Sequence, residues 1–135
     1  MKAFDEQSAV QFLKDVRRPL LTLHKSILDH ERASYEREFG PVTAAGFLQV
    51  LINGSGFRWL MPLSTVIANV DEALDAKNST AEDRIGAVQS VIALFETNGQ
   101  PSTFLERYQA LLQASPDVLH LHAQLVPILQ GVKAD

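Results

Sequence analysis

Apolar residues recur along this chain at spacings of three and four, and proline, glycine and asparagine interrupt the pattern at regular intervals. No stretch alternates convincingly at period two, so no strand is expected. The pattern predicts seven helices. The first covers Asp5 to Val16, with Val10, Leu13 and Val16 on one side. The second runs from Pro19 to Phe39, since a proline at the first helical position lacks only an N–H that would be unpaired there. The third covers Thr43 to Ile52 and stops at Asn53-Gly54-Ser55-Gly56. The fourth starts near Phe57 or Pro62 and ends near Ala76. The fifth opens on Ser79-Thr80-Ala81-Glu82, read as a capping box in which serine caps and Glu82 reaches back. Its stripe is Ile85, Val88, Ile92 and Phe95, and Pro101 opens the sixth helix, with Phe104, Leu105, Tyr108, Leu111 and Leu112 inward. Ser115-Pro116-Asp117 opens the seventh with a cap, a first-turn proline and an acid at the positive helix end. Its stripe is Val118, Leu121, Leu125 and Leu129, and the internal Pro127 is expected to bend it. The fold class that follows is all-α: one domain over residues 1–135, a helical bundle of four to five main helices plus short ones.

Composition narrows the functional classes. The chain has 135 residues, 46% of them hydrophobic, which suits one domain with a sizeable core. It has no cysteine, which removes disulfides, thiolate metal sites and a cysteine nucleophile. Net charge is −4, with seven basic and seven acidic side chains in residues 1–39 and five and nine in the rest. Neither part offers a basic surface, so nucleic-acid and anionic-membrane partners are not expected. Residues 1–10 carry Asp5 and Glu6 and no long apolar run, so a signal peptide is not expected either. The apolar stretch 57–70 is interrupted by Arg58, Pro62 and Asn69 and is too short to span a bilayer. A cytoplasmic protein is the expectation.

The predicted second helix holds the most informative chemistry. Leu20, Leu23, Ile27, Leu28, Tyr35 and Phe39 define its buried face at about 100° per residue. His24, Glu31 and Glu38 fall near the middle of that face. Lys25, Asp29, Arg32 and Glu36 lie opposite, spaced to pair along a solvated surface. A carboxylate in a core costs several kcal/mol unless it is paired, so a partner for Glu31 is expected: Arg58, another cation, a tyrosine hydroxyl or a metal ion. On the predicted seventh helix His122 falls within the stripe, and on the fourth Asp71 flanks it. His24, Glu31, Asp71 and His122 are therefore the candidate ligands for zinc, iron or manganese, should they converge. The paired Glu-x-x-His of di-iron bundles and His-Glu-x-x-His are both absent. Satisfied core or boundary residues are the simpler reading, and no cofactor is expected.

Other motifs add little. Asn53-Gly54-Ser55-Gly56 has no following lysine and reads as a turn. No serine sits in a strand-to-helix elbow. Phe57, Arg58, Trp59, Leu60 and Met61 form an aromatic–aliphatic cluster with one cation. Core packing is the simpler reading for it, but Phe57, Arg58, Trp59 and Met61 are also the candidate interface residues, because arginine and tryptophan are enriched at interface hot spots.

Residues 29–75 resemble a family of small bacterial all-helical proteins of unknown function. The matching pieces are Glu31-Arg32, Tyr35-Glu36, Gly40-Pro41, the run from Phe47 to Asn53, the run from Phe57 to Ser64, Ile67, and the run from Val70 to Asp75. Phe104, Tyr108 and Pro116-Asp117-Val118 are similar in spacing. The resemblance implies a bacterial source and a helical fold, and it carries no activity or cofactor. The leading expectation is a non-enzymatic interaction or regulatory module, with self-association as a homodimer left open. The alternative is a bundle that binds a metal or small ligand through polar residues inside its core.

Overall fold

The computed structural model describes residues 5–96 and 102–133 and is all-helical over them. Helix α1 spans Glu6–Phe39, α2 Ala44–Asn53, α3 Met61–Asp75, α4 Ala81–Leu94, α5 Thr103–Ala114 and α6 Pro116–Lys133. A short 3-10 helix, Ser55–Leu60, leads into α3. The six α-helices are slightly more than the four to five main ones expected. The expected opening of α5 at Pro101 lies outside the described residues.

The largest departure from expectation is α1. The two predicted helices before residue 40 are one helix of 34 residues, with Pro19 in its interior. Pro19 removes the hydrogen bond to the Asp15 carbonyl and crowds it. The helix persists because its buried face is unbroken. Ala9, Phe12, Leu13, Val16, Leu20, Leu23 and Ile27 recur at three and four and are all buried. A break at Pro19 would rotate half of that stripe out of register with the other half. Helices α3, α4 and α6 pack on α1, α3 also packs on α4, and α5 lies against α6 and the 3-10 helix. One core joins them, with Leu63, Val66, Val70, Val88, Val91, Phe104, Tyr108, Val118 and Leu125 facing the α1 stripe or each other.

Local signals set most helix starts. The Asp5 carboxylate accepts from the Ser8 N–H at 2.7 Å and caps α1. The box at α4 sits one residue later than expected. Thr80 accepts from the Asp83 N–H at 3.1 Å, and Asp83 accepts from the Thr80 N–H at 3.0 Å. Ser79 instead donates its hydroxyl to the Ala73 carbonyl at 2.7 Å, tying the α3–α4 turn. Ser102 and Ser115 cap α5 and α6 by accepting from the Leu105 and Val118 N–H groups. Pro62 stands in the first turn of α3, where it costs no hydrogen bond.

Among the described residues two ion-pair ties cross the bundle. The Arg17 guanidinium donates from Nε to Asp71 at 2.8 Å and also engages Asp75, which joins α1 to the end of α3. Arg84 pairs with Glu6, which joins α4 to the start of α1. Both sets are exposed enough for solvent and salt to screen them, so they orient helices more than they stabilise them.

The continuous α1 yields a specific expectation for Pro19→Ala. It restores a main-chain donor inside a helix, so stability rises by about 1–3 kcal/mol, read from the urea midpoint. A near-neutral result would place Pro19 at a helix start instead.

Candidate interaction surface

Helix α1 is longer than the bundle that covers it. Beyond Ile27 none of its residues is fully buried, and Phe39 at its end is 67% exposed. This changes the reading of the polar line. His24 and Glu31 are half-buried and Glu38 is exposed, so the line leaves the core with the helix. The expected core position of Glu38 is thus corrected: the apolar stripe continues in sequence past the last helix that packs against it.

The four candidate metal ligands have separate surroundings. His24 Nε2 lies 3.1 Å from the Ser64 hydroxyl and joins α1 to α3. No acid holds the other ring nitrogen among the described residues, so the pair lacks the third group that orients a catalytic histidine. Glu31 lies 3.9 Å from Nδ1 of its neighbour His30, too long for a hydrogen bond, and among the described residues no cation from another helix reaches it. It needs none, because the side chain retains water access. Asp71 is held by Arg17. His122 Nδ1 lies 2.8 Å from the Tyr108 phenol oxygen, joining α6 to α5. No group of three or more histidine, aspartate or glutamate side chains lies close enough to hold a metal ion among the described residues. His24, Glu31, Asp71 and His122 therefore do not converge.

Each polar pair has an electrostatic consequence. Burial lowers His24 and His122 below their usual 6.5, because an imidazolium loses hydration there. Burial pushes the Tyr108 phenol up for the corresponding reason. The hydrogen bond from Arg17 holds Asp75 below the usual carboxylate range.

The aromatic cluster divides between core and surface. Trp59 and Leu60 are buried, and the Trp59 ring lies 6.1 Å from that of Phe104. Phe57 is half-buried against Phe47. Arg58 is exposed and Met61 is 61% exposed, both at an open groove of about 830 Å³ whose buried walls include Trp59, Val66 and Phe104. The four residues proposed as one interface therefore do not share one face. Consecutive residues in a helical turn point to different sides.

Sequence reasoning missed the surface that stands out, which is α2. It is fixed to the end of α1 by a short latch. Gly40 ends α1 at φ +90°, a conformation that favours glycine. Arg32 donates to the Val42 carbonyl at 2.7 Å, and the Val42 N–H donates to Glu36 at 2.9 Å. Thr43 then caps α2 by accepting from the Gly46 N–H at 3.0 Å. The inner side of α2 is held by Phe47, whose ring sits 6.0 Å from Tyr35 and 5.7 Å, edge-on, from Phe57. Its exit passes so close to the Val50 carbonyl that a side chain at Gly54 would collide with it at 2.6 Å. The outer side is left open. Leu48 is 53% and Ile52 66% exposed, Ala44 and Ala45 are exposed beside them, and exposed Gln49 and Asn53, joined by a 3.2 Å hydrogen bond, border this stripe. Residues 39–57 contain no charged side chain and no histidine, so nothing ionic breaks the apolar character of this helix. That run was the available signal, because a surface helix ordinarily carries charge on its outer face.

No protein-family model, curated protein or solved structure matches the chain.

The half-buried His24 and His122 make stability depend on pH. Their folded values are depressed, so the unfolded chain takes up protons first as pH falls. The contribution is present above about 6.5 and is lost as pH drops below it. The urea midpoint should fall between pH 7 and 5.5, and His24→Gln with His122→Gln should flatten that slope. An unchanged slope would overturn the assignment. Trp59→Ala should cost about 3–5 kcal/mol in the same measurement, which separates a core role from a surface one.

Proposed function

We propose that the chain is an interaction module that docks a protein partner through the outer face of α2. The observation that carries this reading is the pair Leu48 and Ile52. They lie one turn apart, both more than half exposed, on a helix without a charged residue. Single exposed apolar residues are ordinary on any surface. A contiguous apolar helix face with no charge along its length marks a contact site. Its chemistry suits a partner that supplies apolar surface rather than phosphate, sugar or a metal ion.

The setting favours docking. The latch at Val42 and the ring contacts of Phe47 fix α2 at the projecting end of α1. A helix held in place loses little conformational freedom on binding, which favours affinity. Exposed Phe39 adds apolar surface at the same end of the molecule. Arg58 and Met61 remain available at the rim of their groove, whereas Trp59 is committed to the core.

A docking face differs from a packing face in what its loss does to folding. Leu48→Gln combined with Ile52→Gln should leave the urea midpoint of the dilute monomer within about 0.5 kcal/mol of the parent. A loss above about 2 kcal/mol would show that the two side chains hold the fold together, and the reading would be abandoned.

A further inference from the structure

We propose that the groove between α3, α4 and the start of α5 binds a free aliphatic monocarboxylate, with its head on Arg58 and its chain laid along α3. This site is separate from the α2 face and does not rest on that reading.

The walls supply the apolar part. Trp59, Met61, Pro62, Val66, Leu94 and Phe104 line the groove, and its volume of about 830 Å³ lies within the range of small-molecule sites. Met61 is 61% exposed at its edge, so a hydrocarbon chain laid there covers apolar surface that the fold itself leaves in water.

Charge selects the head group. Among the described residues that line the groove, Arg58 alone carries a charge. Its guanidinium has no ion pair or hydrogen bond to a described residue, whereas Arg17, Arg32 and Arg84 are committed to Asp71, the Val42 carbonyl and Glu6. A free guanidinium fork fits a planar carboxylate through two parallel N–H bonds. A phosphate dianion calls for further donors, and no second cation lines this groove among the described residues. Past Asn69 and Ser90 the groove continues into a cleft of about 450 Å³ bordered by Glu72, Glu82 and Asp83. Those acids repel an anion, so the head lies at the Arg58 end. They also repel a second carboxylate at the far end of the chain, which selects a monoacid over a diacid.

Length follows from the helix that forms the wall. From Met61 to Asn69 the α3 side of the groove runs about 12 Å, which matches an extended chain of about eight to ten carbons. The groove is open, so part of the chain stays in water and the affinity is micromolar to millimolar.

Trp59 is the single tryptophan of the chain and stands in the wall, so its fluorescence reports occupancy directly. Titrating the full chain with sodium octanoate to about 10 mM should give a saturable change. Octanol and octylammonium, which carry the same chain, should bind about tenfold more weakly or less, and octanedioate should also bind more weakly than octanoate. Arg58→Gln should weaken octanoate by a similar factor without moving the urea midpoint. Ala93→Phe, which fills the groove from an exposed position on α4, should abolish binding and leaves Arg58 in place. On the unaltered chain, amide NMR shifts should cluster at 58–69, 90–94 and 102–104 and spare 44–53. The proposal is overturned if no saturable change appears, or if octanol or octylammonium binds as tightly as octanoate. It is equally overturned if Arg58→Gln or Ala93→Phe binds like the parent, or if the shifted amides lie off the groove, as they would for adsorption on α2. Should Arg58→Gln lose its folding midpoint, Ala93→Phe and the comparison of head groups decide.

Discussion

Burial of one stripe on α1 is the constraint on which the rest of the molecule depends. Seven residues from Ala9 to Ile27 are removed from water at spacings that keep them on one side of a single helix. Burying a side chain of this kind contributes about 1.5–3 kcal/mol, and the stripe extends to both sides of Pro19. The sum exceeds the roughly 3 kcal/mol that a proline costs inside a helix. The helix therefore continues where local rules favour a break. Once it does, α3, α4 and α6 have a common surface to pack on, and their own apolar stripes find partners there.

The polar contacts follow from that packing rather than causing it. Arg17 reaches Asp71 and Asp75 only because α1 and α3 lie side by side. The Tyr108–His122 hydrogen bond forms where α5 crosses α6, with the Tyr108 ring stacked on Phe104 at 5.4 Å and edge-on to Phe95 at 5.6 Å. That ring cluster continues to Trp59 and so links the 3-10 helix to the core. No helix long and apolar enough to cross a membrane occurs among the described residues. The polar residues that look misplaced in the sequence are satisfied by a neighbour or retain water, and they do not assemble into a reactive centre.

The same constraint creates the candidate surface. A 34-residue helix projects beyond partners of 12 to 18 residues. The chain turns back at Gly40 and lays α2 against the projecting end, where Phe47 is the only fully buried residue of that helix. Phe47 and the latch at Val42 fix the helix, and an apolar stripe of Ala45, Leu48 and Ile52 stays open beside exposed Gln49 and Asn53. The exposed apolar stripe thus arises from a mismatch in helix lengths, not from a motif.

Much of the architecture was legible because it depends on neighbours in sequence. Thr43, Ser115 and Pro62 mark helix starts through groups three residues away or less, and the apolar stripes of α5 and α6 show which faces turn inward. The shift of the α4 cap from Ser79 to Thr80 is a one-residue ambiguity between two hydroxyls that only geometry resolves. The continuity at Pro19 was half legible: the period of Leu13, Val16, Leu20 and Leu23 crosses it, but a proline outweighs periodicity in any local reading. The fate of His24, Glu31, Asp71 and His122 was not legible. Arg17 and Asp71 are 54 residues apart, and His24 and Ser64 are 40 apart. By itself, then, the sequence determined an all-helical chain with defined caps and an uncharged run at 39–57, because hydrogen bonding and side-chain period are local properties. Only the tertiary structure decided that Pro19 is crossed, that the polar line leaves the core and that α2 keeps an open apolar side. Those outcomes depend on where distant helices begin and end against α1.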